Sequence, residues 1–299
     1  MNVRNLTIRI FMLLGLTCCE LEKSNFNAKY LPYTQAFMEA NGYNLLEPSE
    51  SHILPETLTE ISGLTLVNDS TVACVEDESG VIFLYSLSKE KMVDQLRFAG
   101  PGDYEGIEMV GDDIFVLKSN GNLYQYSLSE QTTKTIKTPL SRRNNAEGLA
   151  YDTVNQRLLI LCKGEAGLDG ADIQGKAIYS YSLSNGFVPE PIILITQDDI
   201  ISWNESQPAE LKINKKRYGF MPSGIAVSPG GDYYIVATVG KLLMVLSPSG
   251  DIKYTVPISP RVFRQPEGIC FTSKGDLIVS NEGQDGSGRI QVFNKGLRE

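Results

Sequence analysis

Short runs of apolar and β-branched residues alternate along the chain with turns rich in Gly, Asp, Asn and Ser. Residues 62–67, 71–77, 81–87 and 91–98 are the first four such runs, and the turns NDS, ESG and KEK separate them. Runs of this length between turn residues are typical of β-strands joined by tight connections. The pattern therefore predicts an antiparallel unit of four strands.

A glycine motif opens this unit and recurs along the chain. Its five versions are centred on Gly63, Gly106, Gly148, Gly224 and Gly268. Successive glycines lie 43, 42, 76 and 44 residues apart. A period near 42 residues with several short strands in each repeat is typical of a β-propeller, in which each repeat forms one blade. The sequence thus predicts an all-β, five-bladed β-propeller, and the long gap leaves six blades as the alternative.

Two insertions account for the long gap if the propeller has five blades. One covers 164–175, between the second and third strands of the third blade, and the other covers about 197–221. The last blade has only three strands, so an N-terminal strand must complete it, and residues 42–48 are predicted to do so. This closure would remove a free sheet edge. The residues before that strand, YTQAFMEAN, are predicted to form a short helix.

The N-terminus resembles an export signal. Arg4 and Arg9 precede a short apolar segment, and LTCC follows it. This order resembles a bacterial lipoprotein signal with lipid attached to Cys19; Cys18 is an alternative site, and an ordinary secretory signal is another interpretation. We expect a signal peptide over 1–18, a tether and short helix over 19–40, and the propeller over 41–299. The location would be the bacterial cell envelope, either periplasmic or on the outer-membrane surface.

Composition narrows the expected partners. The formal net charge is −9 and basic residues are not clustered, so a nucleic acid is not expected as a partner. The partners expected are an unidentified ligand or envelope protein and, through the lipid, a membrane; the chain itself is expected to be a monomer. Cys74, Cys162 and Cys270 each lie in an apolar run and are predicted to be buried free thiols.

Three of the five motif glycines follow a glutamate: Glu105, Glu147 and Glu267. The first strand of each propeller blade lines the central channel, so these side chains are predicted to meet at one channel mouth. Carboxylates so close repel one another unless some are protonated or a cation lies between them. Calcium accepts carboxylate, hydroxyl and amide oxygens together. The sequence therefore predicts a calcium site here, and the alternative is a solvated acidic rim without a metal.

Further candidate ligands come from neighbouring segments. Asn281 and Glu60 are predicted to assist the three glutamates in the metal site. Second strands end at the same mouth, so Asp77 and Glu282 are also candidates for its polar surface.

The motifs, taken together, resemble the SdiA-regulated family of bacterial envelope propellers, which are distant relatives of NHL-repeat proteins. The segments that carry the resemblance are LPETLTEISGL, GDYEGIE, NAEGLAYD, PSGIAVSP and QPEGICF with GDLIVSNEG, and they cover roughly residues 50–295. The resemblance implies a five-bladed propeller with bound calcium. It implies no reaction.

Two functions fit these features. The first is a calcium-stabilised module that binds a ligand or an envelope partner on one face. The second is a metal-dependent hydrolase, similar to lactonases, esterases or phytases, with the ion at the channel mouth. His52 is the single histidine and no Gly-x-Ser-x-Gly motif is present, which favours binding over catalysis. The second insertion holds the single tryptophan, Trp203, a candidate ligand contact, and both insertions are expected to lie over the mouth.

Overall fold

The computed structural model describes residues 28–284 and 286–296. The predicted signal peptide and the candidate lipid-attachment residues Cys18 and Cys19 lie outside these residues. Within them, strands form five antiparallel sheets of four strands each, as the glycine period predicts. The prediction of a five-bladed β-propeller is confirmed.

Blades 1 to 4 each use four consecutive strands. Blade 1 contains β2 (Ile61–Asn68), β3 (Thr71–Glu76), β4 (Val81–Ser86) and β5 (Lys91–Arg97). Blade 2 contains β6 (Tyr104–Val110), β7 (Asp113–Lys118), β8 (Leu123–Ser127) and β9 (Thr132–Ile136). Blade 3 contains β10 (Ala146–Asp152), β11 (Arg157–Cys162), β12 (Lys176–Ser182) and β13 (Gly186–Ile195). Blade 4 contains β14 (Met221–Val227), β15 (Tyr233–Val239), β16 (Leu242–Leu246) and β17 (Ile252–Pro257).

An N-terminal strand closes blade 5, as predicted. The blade contains β18 (Pro266–Phe271), β19 (Leu277–Asn281) and β20 (Arg289–Phe293), and β1 (Glu50–Ile53) pairs antiparallel with β20. The prediction that residues 42–48 form this strand is wrong. Tyr43 and Leu45 are each 1% exposed and pack into the interface of blades 4 and 5, so the chain reaches the edge of β20 only at Ser49.

Two α-helices flank the blades in the described residues. Helix α1 (Leu31–Asn41) lies where a short helix is predicted; it has a proline in its first turn and ends at Gly42 in the left-handed conformation. Helix α2 (Gln197–Glu205) begins in the second insertion with a capping box between Thr196 and Asp199. No helix of the described residues is long and apolar enough to cross a membrane.

Each interface between neighbouring blades buries its own apolar cluster. Alternate residues of a strand point to opposite faces of its blade, so each strand supplies both neighbouring interfaces. In β15, for example, Ile235 packs towards blade 3 and Val236 towards blade 5. Cys74, Cys162 and Cys270 are buried free thiols in these clusters, as predicted.

The motif glycines allow the first strands to approach the channel axis closely. A Cβ atom added at Gly63 would lie 2.8 Å from the carbonyl oxygen of Glu105, and one at Gly106 would lie 2.8 Å from the amide nitrogen of Leu149. Real Cβ atoms do not come so near to backbone atoms, so no other residue fits without a shift of the strands. The glycines are therefore needed for packing whether or not a ligand binds.

Candidate functional site at the channel mouth

The five glycine motifs meet around the axis of the propeller. Glu105, Glu147, Ser223 and Glu267 line a small space of about 10 Å³ there, together with the motif glycines and the residues that follow them. This volume is about that of one water molecule. The channel is therefore closed by packed strands, and its functional part is the polar mouth where the first strands begin. The sequence-predicted glutamates do come together there.

Glu147 is the most deeply buried acid of the mouth, at 3% exposure. Lys163 Nζ donates to Glu147 Oε1 over 3.0 Å, and Asn145 Nδ2 donates to the same oxygen over 2.5 Å. Burial raises the pKa of Glu147, while Lys163 acts in the opposite direction. This carboxylate therefore has a fixed cation of the protein beside it.

Glu105 and Glu267 are half-buried beside Glu147, and neither forms an ion pair with any of the described residues. Burial, followed by the charge of Glu147, raises the pKa of Glu105 to about 9. The same two causes raise the pKa of Glu267 to about 8, against the opposing effects of Lys163 and of a hydrogen bond of 3.0 Å from Thr238 Oγ1 to Glu267 Oε1. Both side chains therefore hold a proton at neutral pH unless a cation displaces it.

Lys163 is the residue of this site that the sequence analysis missed. It follows β11 directly, and the second strands end at the mouth. Thr238 and Asn281 lie at or near the equivalent end of their own blades' second strands. Its position in the sequence could have identified it. A charged residue directly after an apolar second strand reaches the mouth, and Asp77 and Glu282 are candidates for the same reason.

A second acidic group lies at the blade 1 side of the mouth. Glu60, Asp77 and Glu78 each offer a carboxylate oxygen within 4.8 Å of the other two. Burial first, and then Glu60, Glu76 and Glu78, raise the pKa of Asp77 to about 6. Burial, Glu60 and Asp77 also raise the pKa of Glu282. Glu60, which the sequence predicts as a metal ligand, therefore lies with Asp77 and Glu78 rather than with the three motif glutamates.

Asn281, the other predicted ligand, is 2% exposed. Its Nδ2 donates to Gln291 Oε1 over 3.0 Å, whereas its Oδ1 has no hydrogen-bond donor among the described residues. Asp77 Oδ1 is likewise buried without a donor. Oxygen atoms of this kind fit a cation or an ordered water. The donor set of the mouth, which consists of carboxylate and amide oxygens, therefore fits calcium and not zinc.

The serine hydroxyls that precede Gly63 and Gly224 contact backbone carbonyl oxygens. Ser223 Oγ donates to the carbonyl oxygen of Pro266 over 2.6 Å, and Ser62 Oγ is 3.5 Å from that of Glu60. Ser223 therefore holds neighbouring first strands together.

Both insertions of the third blade lie beside the mouth. One large cleft is lined by residues 163–166 and 170–176, by 195–198 and Ile200, and by 218–221, and Lys163 connects this cleft to Glu147. Trp203 is half-buried on α2 and is not among the residues that line the cleft. His52 lies at the outer edge, where its Nε2 is 3.2 Å from Glu50 Oε2.

Comparison with known proteins agrees with the motifs. The SdiA-regulated family model matches residues 49–165. The resemblance drawn from the glycine motifs is thereby confirmed for this segment, which contains β1 to β11. The motifs at Gly224 and Gly268 lie beyond it. No curated protein matches the sequence significantly.

Solved structures support the fold alone. A luciferin-regenerating enzyme superposes with a TM-score of 0.51 at 14% identity, covering 84% of this chain and 98% of that one. A glutaminyl cyclase of Myxococcus xanthus superposes with a TM-score of 0.54 at 14% identity, covering 83% of this chain and 95% of that one.

Proposed function

We propose that the protein is a lipid-anchored, calcium-binding β-propeller of the bacterial cell envelope that binds a ligand or partner protein at its channel mouth. The convergence of Glu105, Glu147 and Glu267 on this mouth carries the proposal. Carboxyl groups that are costly to bury are concentrated at one end of a rigid scaffold, where long loops also gather. Such a concentration of perturbed acids is typical of binding and catalytic sites.

Calcium would be held by Glu105, Glu147 and Glu267, with help from Asn281, whereas Glu60 lies with Asp77 and Glu78. A bound divalent cation would offset the repulsion that raises the pKa of Glu105 and Glu267. Lys163 already supplies one positive charge, which reduces the need for a metal in that half of the mouth.

The acids Asp77 and Glu78 form the competing ligand set with Glu60. Their oxygens lie within 4.8 Å of one another, a spacing at which one ion can contact all three, and no ion pair of the described residues involves them.

Isothermal titration with calcium tests the proposal. Wild type should bind calcium and melt at a higher temperature with calcium than with chelator, because a ligand specific to the folded state adds about 2.7 kcal/mol at a hundredfold excess over Kd. Glu267→Gln should weaken binding about tenfold or more, whereas Glu130→Gln, an exposed change on blade 2, should not. Equal melting temperatures, together with no metal in elemental analysis, would refute a calcium site.

The variant Asp77→Asn separates the two ligand sets. Under the proposal it should change calcium affinity less than Glu267→Gln does. If only Asp77→Asn abolishes binding, the ion belongs to the group of Glu60, Asp77 and Glu78 instead.

Membrane attachment rests on the N-terminal sequence. Mass spectrometry of the mature N-terminus should find a diacylglyceryl group on Cys19. A lipid on Cys18 would move the attachment by one residue, and an unmodified chain released to the medium would contradict the anchor.

The insertions of the third blade would act as the binding face around the mouth, with Trp203 as a contact. Trp203 is half-buried on α2, so its fluorescence should report a ligand that settles against this helix. The binding face lies elsewhere if the fluorescence of Trp203 is unchanged by calcium and by a captured partner, and if deletion of 199–214 leaves capture of the partner intact.

A metal-dependent hydrolase is the second candidate function. The observation that favours it is the contrast between the protonated Glu105 and the ion-paired Glu147, since adjacent acids with different protonation states can act as acid and base. Both superposed proteins are enzymes by name, but their likeness extends to the fold only. Screening lactones, esters and phosphate esters with added calcium should give no turnover if binding is the function. Turnover lost in Glu147→Gln would support catalysis.

A further inference from the structure

A cleft of about 1080 Å³ opens between the two insertions of the third blade and the end of blade 4 where β14 begins and β15 ends. One wall is formed by 163–166 and 170–176, and the other by 195–198 and Ile200 with 218–221. This volume is enough for a small organic ligand, which typically occupies a cavity of roughly 300–1,000 Å³. The cleft lies beside the channel mouth and shares no lining residue with the small space on the axis, but Lys163 of the cleft contacts Glu147 of the mouth.

Exposed apolar side chains gather around this cleft. Ile173, Met221 and Val239 are 38%, 37% and 54% exposed, and all three line it. Met221 and Val239 are paired across β14 and β15, while Ile173 belongs to the first insertion. Side chains of this size cost free energy when they face water, so an apolar part of a ligand would be stabilised against them.

One cation of the cleft has no carboxylate partner among the described residues. Lys176 is half-buried, and its Nζ donates to the carbonyl oxygens of Lys163 and Gly164 over 2.5 and 3.5 Å. Burial, followed by the charge of Lys163, lowers the pKa of Lys176. An ammonium group held away from water by carbonyl groups alone still lacks a counter-charge.

The other charges of the cleft are balanced or solvated. Lys163 pairs with Glu147, and Arg143 Nε lies 2.8 Å from Glu165 Oε2. Asp172 and Asp198 are exposed, so water screens them. The half-buried part of the cleft therefore presents an uncompensated positive charge beside an apolar surface.

We propose that this cleft binds a small anionic amphiphile, with its anionic head group on Lys176 and its apolar part against Ile173, Met221 and Val239. The inference rests on the proposed role as a binding module and names the class of its ligand. A carboxylate and a phosphate monoester share the required chemistry, and each can accept a charge-assisted hydrogen bond from the ammonium group.

Calorimetric titration with four ten-carbon probes tests the ligand class. Decanoate and decyl phosphate carry the anionic head, decanol is neutral and decylamine is cationic. We expect one or both anions to bind at least about tenfold more tightly than decanol, because a charge-assisted hydrogen bond is stronger than a neutral one. Whichever anion binds more tightly identifies the head group. Equal binding of decanol, stronger binding of decylamine, or no binding of either anion below its micelle concentration overturns the inference.

Four variants locate the site. Lys176→Gln should weaken binding of the preferred anion about tenfold, and Lys176→Arg should largely retain it. Val239→Asp should also weaken it, because it places a like charge on the apolar wall. Lys134→Gln on β9 and Val154→Asp, at a residue that is 84% exposed in the turn between β10 and β11, are the matched controls and should have no effect. Binding that is the same in wild type, Lys176→Gln and Val239→Asp overturns the inference.

The titrations are run with calcium and with chelator, and each variant's thermal melt is recorded. If calcium raises the melting temperature but neither anion binds, the ligand class is wrong and the calcium-binding proposal stands. If an anion binds at the cleft of a protein that calcium does not stabilise, the ligand class is supported and the calcium proposal fails.

Discussion

The two sides of the channel mouth carry similar acids but different counter-charges. On the blade 3 side, Glu147 is buried and Lys163 lies 3.0 Å from it. On the blade 1 side, Glu60, Asp77 and Glu78 lie close together and no ion pair of the described residues involves them. One side therefore carries its own cation, whereas the other depends on protons, water or a bound ion. Similar acid patterns in a sequence can thus have different chemistry once the fold brings a lysine to one of them.

The largest expected effect comes from a substitution that displaces the first strands and so disturbs both sides of the mouth. Gly63→Ala would place a Cβ atom 2.8 Å from the carbonyl oxygen of Glu105 and 3.0 Å from the amide nitrogen of Ile107. Backbone atoms of two first strands must then move, so we expect a loss of about 3 kcal/mol or more in the free energy of unfolding. Urea denaturation measures it. Gly100→Ala, where an added Cβ atom meets nothing within 4 Å, should change stability by no more than about 0.5 kcal/mol.

Removing the lysine should make the two sides alike. Lys163→Met leaves Glu147 buried without its ion pair, and we expect a loss of about 2–3 kcal/mol at pH 8, measured by urea denaturation. The loss should shrink at pH 5, because Glu147 then takes up a proton instead. Adding Glu147→Gln to Lys163→Met should restore most of the stability. A loss that is independent of pH and unaffected by the second change would contradict an electrostatic role for Lys163.

The pH dependence of calcium binding distinguishes the two sides. If calcium binds the three glutamates, affinity should rise by about tenfold or more from pH 7 to 9, because protons with pKa values of about 9 at Glu105 and about 8 at Glu267 must leave. We expect this outcome from calorimetric titration. An affinity that rises near pH 6 and is constant above pH 7 would instead place the ion at Asp77, whose pKa is about 6.

The smallest expected effect concerns Glu105 alone. Its folded-state pKa of about 9 lies above the ordinary 4.5, so the folded protein keeps a proton that the unfolded chain releases. The stability that this proton contributes is fully present below pH 4.5 and is lost as pH rises towards 9. Glu105→Gln lacks this loss, so in chelator its free energy of unfolding should fall less than that of wild type between pH 5 and pH 8. Equal pH profiles for the two proteins in thermal melts would count against a protonated Glu105.

Local patterns determined most of the fold. The glycine period gave the five blades, because each repeat must bury both faces of a small sheet against its neighbours. The apolar runs that contain the cysteines predicted their burial, and the missing fourth strand of blade 5 required an N-terminal one. The exact closing segment was misplaced, since Tyr43 and Leu45 look like strand residues but are buried as packing groups.

Spacing alone also brought Glu105, Glu147 and Glu267 to one mouth, because equivalent positions of a closed ring face the same axis. Only the tertiary structure decided which acids share an environment: Glu60 joins Asp77 and Glu78, and Lys163 joins Glu147. The cleft of Lys176, Met221 and Val239 likewise depends on how two insertions and blade 4 meet. The physical reason is that a repeat fixes strand positions, whereas charge pairing and cleft shape depend on side-chain and loop contacts between segments distant in sequence.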